Sequence, residues 1–255
     1  MKINYNLIRG DCLIEMDKIA DESVNMVLAD LPFGTTNCAW DTIINLEKLW
    51  EQYNRIIKPK GAILLFAQTP FDKVLGASNL EQLRYEWIWE KTTSTGHLNA
   101  KKMPMKAHEN ILVFYDKLPI YNPQMTTGHA PVNSYTKHQS DGEIYGKTRK
   151  GISGGGSTLR YPRSVLRYPT DKQTSSLHPT QKPVALLEYF IKTYTHTGHV
   201  ILDNTMGSGS TGVAAARTHR KFIGIELEEK YFNIAEERIQ AAYKKESFLG
   251  MNDGS

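Results

Sequence analysis

The stretch VILDNTMGSGSTGVAAA, Val200 to Ala216, decides the fold. It opens as an apolar run, closes on Asp203, passes Gly207, Gly209 and Gly212 in a G-x-G-x-x-G spacing, and ends in alanines. An apolar β-branched run favours a strand and an alanine run favours a helix, so the glycines fall in a strand-to-helix turn. Such a turn lets a ligand approach the backbone where any Cβ would collide. The next apolar segment, KFIGIEL, ends in Glu226, placed to accept hydrogen bonds from ribose hydroxyls.

Outward from this turn the chain alternates strands and helices. Before the middle of the sequence, SVNMVLAD reads as a strand, INLEKLWEQYNRIIKP as a helix, and GAILLFA, YEWIWEK and ENILVFYD as strands. After it, PVALLEYFIKTY reads as a helix, HVILDN as a strand, STGVAAARTH as a helix, KFIGIEL as a strand and EKYFNIAEERIQAAYKK as a final helix. The expectation is an α/β, Rossmann-like fold, a mostly parallel doubly wound sheet with helices on both faces.

The 255 residues suffice for one large α/β domain or two smaller ones. Hydrophobic residues make up 40% and charged residues 23%, as in ordinary globular proteins, and no apolar run approaches a membrane span. A cytoplasmic protein without a signal peptide is expected. Cys12 and Cys38 have neither disulfide-framework nor zinc-site spacing, so reduced thiols and no metal are expected.

The net charge of +4 permits a nucleic-acid partner, and the charge is unevenly placed. Between residues 131 and 177 stand eight Lys and Arg against three acids, interleaved with Tyr, Gly and Ser. Cations displace counterions from a phosphate backbone and aromatics stack on bases, which makes Lys147, Arg149, Lys150, Arg160, Arg163 and Arg167 candidate nucleic-acid contacts. On this reading residues 92–176 form an inserted target-recognition region, with a strand at 109–115 rejoining the sheet. Residues 1–91 and 177–246 form the catalytic domain, and 247–255 a disordered tail.

The glycine turn alone suits either a nicotinamide dinucleotide or S-adenosylmethionine. Asp203 separates them, because a carboxylate at the strand end repels a pyrophosphate and attracts an ammonium. Asp11, in GDC, is placed to accept from an adenine amine, and Lys182 beside Pro183 to hold a carboxylate at a helix start. Read singly, Asp11 is a turn residue and His178 a cap or core residue; their conjunction with the glycine turn carries the weight.

Taken together, DLPFG (Asp30 to Gly34), HPTQKP (His178 to Pro183) and LDNTMGSGSTG (Leu202 to Gly212), in this order, resemble the beta class of DNA amino-methyltransferases. The resemblance implies a class I methyltransferase fold, S-adenosyl-L-methionine as cofactor, duplex DNA as partner and a bacterial or bacteriophage source. By match of motif it makes Asp30, Leu31, Pro32 and Phe33 the catalytic tetrad. It places the cofactor among Asp11, Cys12, Asp30, His178, Thr180, Gln181, Lys182, Asp203, Asn204, Met206, Gly207, Ser208, Gly209, Ser210, Thr211 and Glu226.

The family usually writes the tetrad's second position as Pro, and here it is Leu31. If the backbone carbonyl of that residue accepts an amine hydrogen, its side chain matters less than the carbonyl's direction, which Pro32 helps to fix. Asp in the first position resembles the adenine-N6 enzymes more than the cytosine-N4 enzymes. Cytosine N4 methylation, RNA or protein substrates and a DNA-binding protein that has lost catalysis stay open as alternatives, as does monomer against homodimer.

Overall fold

The computed structural model describes residues 4–34, 43–136, 141–142, 146–147, 153–170 and 181–252. Two compact units divide the chain, one of residues 1–122 with 164–255 and one of residues 123–163.

The larger unit is built on an eight-stranded sheet. Its strands are β1 (Tyr5–Arg9), β2 (Val24–Asp30), β3 (Ile57–Ala67), β4 (Leu83–Thr95), β5 (Lys106–Phe114), β10 (Val165–Tyr168), β11 (Val200–Asp203) and β12 (Lys221–Glu226). The order across the sheet is β1-β12-β11-β2-β3-β5-β4-β10. β5 runs antiparallel to β3 and β4, and the remaining neighbours pair in parallel. The mostly parallel α/β sheet expected from the strand–helix alternation is what forms.

Side-chain alternation explains why helices cover both faces. From β2, Met26 and Leu28 enter one core while Val27 and Ala29 enter the other; from β3, Leu64 and Phe66 separate in the same way from Ile63 and Leu65. Strands buried on both faces therefore read as continuous apolar runs. The first core is closed by α4 (Val184–Tyr194), α5 (Ser210–Arg217) and α6 (Glu229–Asn252) through Phe190, Val213 and Ile239. The second is closed by α1 (Cys12–Met16), α2 (Leu46–Ile56) and α3 (Phe71–Ala77) through Met16, Tyr53 and Leu75.

Three expectations are corrected. The helix read through Pro59 ends at Ile56, and the chain passes directly into β3 at Ile57, where a β-branched residue suits a strand. The tail expected to be disordered continues α6 to Asn252, because extending an existing helix adds a hydrogen bond for each residue ordered. There the Ser247 hydroxyl donates to the Tyr243 carbonyl at 2.9 Å.

The third concerns the inserted region. β4 runs on to Thr95, and β10 pairs with it in parallel from Val165 to Tyr168, so both flanks of the expected 92–176 segment belong to the larger unit. The separate body is 123–163. It is held by β6 (Tyr135–Thr136) paired with β9 (Ser153–Gly154), by β7 (Asp141–Gly142) paired with β8 (Gly146–Lys147), and by a bridge from Thr126 to Arg160.

Candidate active site

Parallel strands bring their carboxyl ends to one edge, and there the acidic strand-end residues gather. Arg9 stands opposite Glu226, Asp203 opposite Gly224, and Asp30 opposite Phe66. A cavity of about 620 Å³ opens at this edge, in the range of small-molecule sites. Asp30, Leu31, Pro32 and Phe33 line it from the end of β2, Asp11 and Cys12 from the start of α1. Gln181 and Lys182 line it from the approach to α4, and Glu226 from the end of β12. From the glycine turn come Asp203, Asn204, Met206, Gly207, Ser208, Ser210 and Thr211. His178 and Thr180 lie outside the described residues.

The glycines divide by task. Gly207 and Gly209 have φ of +51° and +80°, the left-handed region that suits glycine. Gly209 packs against α6, where a Cβ would come within 2.9 Å of the Ala235 Cβ, and a Cβ on Gly212 would come within 2.5 Å of Ile239. Close helix packing demands glycine at these two positions. Gly207 donates its N–H to the Glu226 carboxylate at 2.8 Å, tying the turn to β12.

Asp203 is a buried carboxylate with 3% exposure and no ion pair among the described residues. Burial pushes its pKa up to about 7, against hydrogen bonds from Thr211 and the Thr205 N–H, with Asp30 and Glu226 adding to the rise. A carboxylate in that position calls for a cation to complete it. Glu226, also raised by burial, accepts from the Gly207 and Glu228 N–H groups. Asp11 spends one oxygen capping α1, accepting from Leu13 and Ile14. Tyr53 donates to the Asn204 side chain at 2.6 Å, fixing the turn from α2.

Lys182 differs from its expected use. Its Nζ stands 2.6 Å from Asp30 Oδ2 and 3.2 Å from Glu109 Oε2, and Glu109 in turn is 2.5 Å from Lys91 Nζ. The ammonium expected to hold a ligand carboxylate is thus engaged by two protein carboxylates. Among the described residues, Asp30 Oδ1 has no hydrogen-bond partner. Burial raises Asp30 to about 6; Lys182 works against this and Glu109 with it. The Thr205 hydroxyl donates to the Asp30 carbonyl at 3.0 Å and fixes the backbone there.

The Leu31 departure has a packing reason. Its side chain is 2% exposed and sits in the core with Ala29 and Leu202, while Pro32 and Phe33 stay partly open at the cavity. Phe33 lies against Phe71 with ring centroids 5.3 Å apart. Lys91 and Glu109 were not legible as site residues by motif. Their signal is alternation, since Lys91 continues the inward face of Trp87 and Trp89, and Glu109 that of Ile111 and Val113.

Of the basic residues, Arg163 and Arg167 are exposed, Arg167 only 3.9 Å from Glu90. Arg160 instead donates from Nη1 to the Ser157 and Leu159 carbonyls, both at 2.9 Å, and braces its own loop. Lys147 lies in β8, and Arg149 and Lys150 are outside the described residues.

The sheet order and the cavity at the carboxyl ends are those of the class I methyltransferase fold. The chain belongs to the DNA methylase family, whose model matches residues 24–237, and with it to the expected adenine-N6 and cytosine-N4 DNA methyltransferases. It is 28% identical over 256 residues to the DNA adenine methyltransferase YhdJ of Escherichia coli strain K12, covering 92% of this chain and 83% of that protein. The fold is similar to the crystal structure of the M1.HpyAVI-SAM complex, with TM-score 0.63, 22% identity and coverage of 92% and 98%. It is also similar to the cytosine-N4-specific PvuII DNA methyltransferase, with TM-score 0.68, 16% identity and coverage of 95% and 92%.

Proposed function

We propose that this protein transfers a methyl group from S-adenosylmethionine to the N6 amine of an adenine flipped out of duplex DNA. The observation that carries the reading is the meeting, in one cavity, of two acids: among the described residues Asp203 is buried without a counter-charge and Asp30 keeps an unspent acceptor oxygen. Asp203 suits the ammonium of the cofactor's methionine part, Glu226 its ribose, and Asp11 its adenine through the carboxylate capacity the helix cap leaves. S-adenosylmethionine supplies the electrophilic methyl group when bound.

The exocyclic amine of adenine is a weak nucleophile because its lone pair is delocalised into the ring. Asp30 accepts one amine hydrogen and the Leu31 carbonyl the other, so the nitrogen pyramidalises and its lone pair turns toward the methyl donor. Both acceptors stand where positive charge develops, and their placement before reaction lowers the barrier. Phe33 offers the flipped base an apolar face, and the base must leave the stack because its amine is unreachable inside a duplex.

Adenine is favoured over cytosine by Asp in the first tetrad position and by the adenine methyltransferase relative. The test is Asp30→Ala. Methyl transfer to DNA is expected to be lost while cofactor affinity stays within about threefold, since acceptor placement rather than cofactor binding is removed. Transfer at the wild-type rate would contradict the assigned chemistry.

A further inference from the structure

Four charged side chains, three from strands and one from the segment before α4, meet on one face of the sheet. Asp30 follows the inward alternation of Met26 and Leu28 on β2, Glu109 that of Ile111 on β5 and Lys91 that of Trp89 on β4, while Lys182 descends just before α4. Glu109, Lys91 and Lys182 have side-chain exposures of 8–10%, and Asp30 of 23%. The Lys182 ammonium also lies 5.2 Å from the Phe66 ring centroid and Lys91 5.0 Å from that of Trp89, so aromatic walls seat both cations.

The ladder Lys91–Glu109–Lys182–Asp30 alternates in sign and sums to zero. With Asp30 and Lys182 alone, the ammonium would draw the carboxylate's charge wholly onto itself. Glu109 takes part of it and is itself held by Lys91. Among the described residues the other groups facing the ladder are Asp203, which acts on Asp30, and Lys106, which sees Glu109 and gives its Nζ to Gln68 at 2.6 Å.

We infer that Glu109, seated by Lys91, is a positioning residue that shares Lys182 with Asp30, and so keeps Asp30 a strong acceptor beside an amine that becomes cationic. The inference rests on the reading that Asp30 accepts an amine hydrogen. Electrostatics favours it: deleting the Glu109 charge leaves the cluster at +1 next to a developing positive charge, which opposes transfer. Glu109 lies too deep in the ladder to owe its charge to solubility, and a buried ion pair is weak evidence of a purely stabilising role.

The experiment follows Asp30 directly, by carboxyl ¹³C NMR of cofactor-free protein labelled at aspartate, with the Asp30 resonance identified by its loss in Asp30→Asn. Methyl transfer to DNA is measured against pH on the same proteins. In Glu109→Gln the Asp30 midpoint is expected to move about one pH unit lower, the acid limb of the rate profile with it, because a neighbouring like charge is gone. The rate above both limbs is expected to fall about tenfold with cofactor affinity unchanged, the pattern of an interaction used in the transition state.

Glu109→Asp keeps the charge and is expected to restore the midpoint. If Glu109→Gln does not fold, Lys91→Met with Glu109→Gln removes the buried pair as a unit and moves the midpoint in the same direction by less. An unmoved midpoint and profile in a folded variant, with wild type active, overturns the role of Glu109. A wild type that transfers no methyl group to DNA while its cofactor is bound overturns the methyl-transfer reading, and this role with it.

Discussion

Among the described residues no counter-charge meets the buried Asp203 carboxylate, whereas at Asp30, which ends the neighbouring strand, Lys182 stands at 2.6 Å. The difference predicts opposite sensitivities. With its pKa raised to about 7, Asp203 is largely protonated below neutrality, so cofactor affinity is expected to rise from pH 6 to pH 8 as the carboxylate ionises to meet the ammonium. Calorimetric titration at the two pH values checks this. Asp203→Asn is expected to weaken binding about tenfold or more and to flatten the pH dependence, since a charge-assisted hydrogen bond is worth about 1.5–3 kcal/mol. The same raised pKa makes the cofactor-free protein lose stability as pH climbs from the ordinary aspartate range to about 7, because the folded state holds a proton that the unfolded state has released. Asp203 was legible from its place at a strand end before glycines. The engagement of Lys182 by Glu109 was not, because the partners lie 73 positions apart and meet only through the sheet.

Among the elements, the packing of α5 against α6 accounts for Gly209 and Gly212 in the glycine turn. Gly212→Ala would set a Cβ 2.5 Å from Ile239 and 2.8 Å from Phe222, so side chains of a buried core must shift to admit it. Overpacking of this kind costs about 1–3 kcal/mol, so the urea midpoint is expected to fall even though alanine is the better helix former. An unchanged or raised midpoint would show that α6 shifts to accommodate the methyl group. Most strands and the longer helices were legible because their apolar runs are long and bounded by turns, whereas the short β1, α1 and α3 were not read as elements. β10 was not, since four residues with alternating exposure resemble any polar loop until β4 supplies their hydrogen-bond partners. For the same reason Lys91 looked like the polar end of a strand rather than the inward continuation of Trp87 and Trp89.

For the whole molecule, the basic middle of the sequence supplies the expectation of DNA binding, and the structure narrows which residues test it. Arg163 and Arg167 are exposed, while Arg160 holds carbonyls of its own loop. Neutralising Arg163 and Arg167 together is expected to weaken binding to duplex DNA of any sequence and to lower the salt slope by about 2, one for each phosphate that no longer meets a cation. Fluorescence anisotropy across a salt series measures it, and an unaltered slope would move the phosphate-binding cations elsewhere. Arg160→Ala is expected to loosen the 123–163 unit first, by freeing the Ser157 and Leu159 carbonyls from their shared donor.

The most direct measurement is transfer of a labelled methyl group from S-adenosylmethionine to unmethylated genomic duplex DNA, followed by digestion and separation of the nucleosides. The account predicts label in N6-methyladenine. Label confined to N4-methylcytosine would contradict the assigned base, and DNA left without label by a protein that binds the cofactor would contradict the assigned reaction.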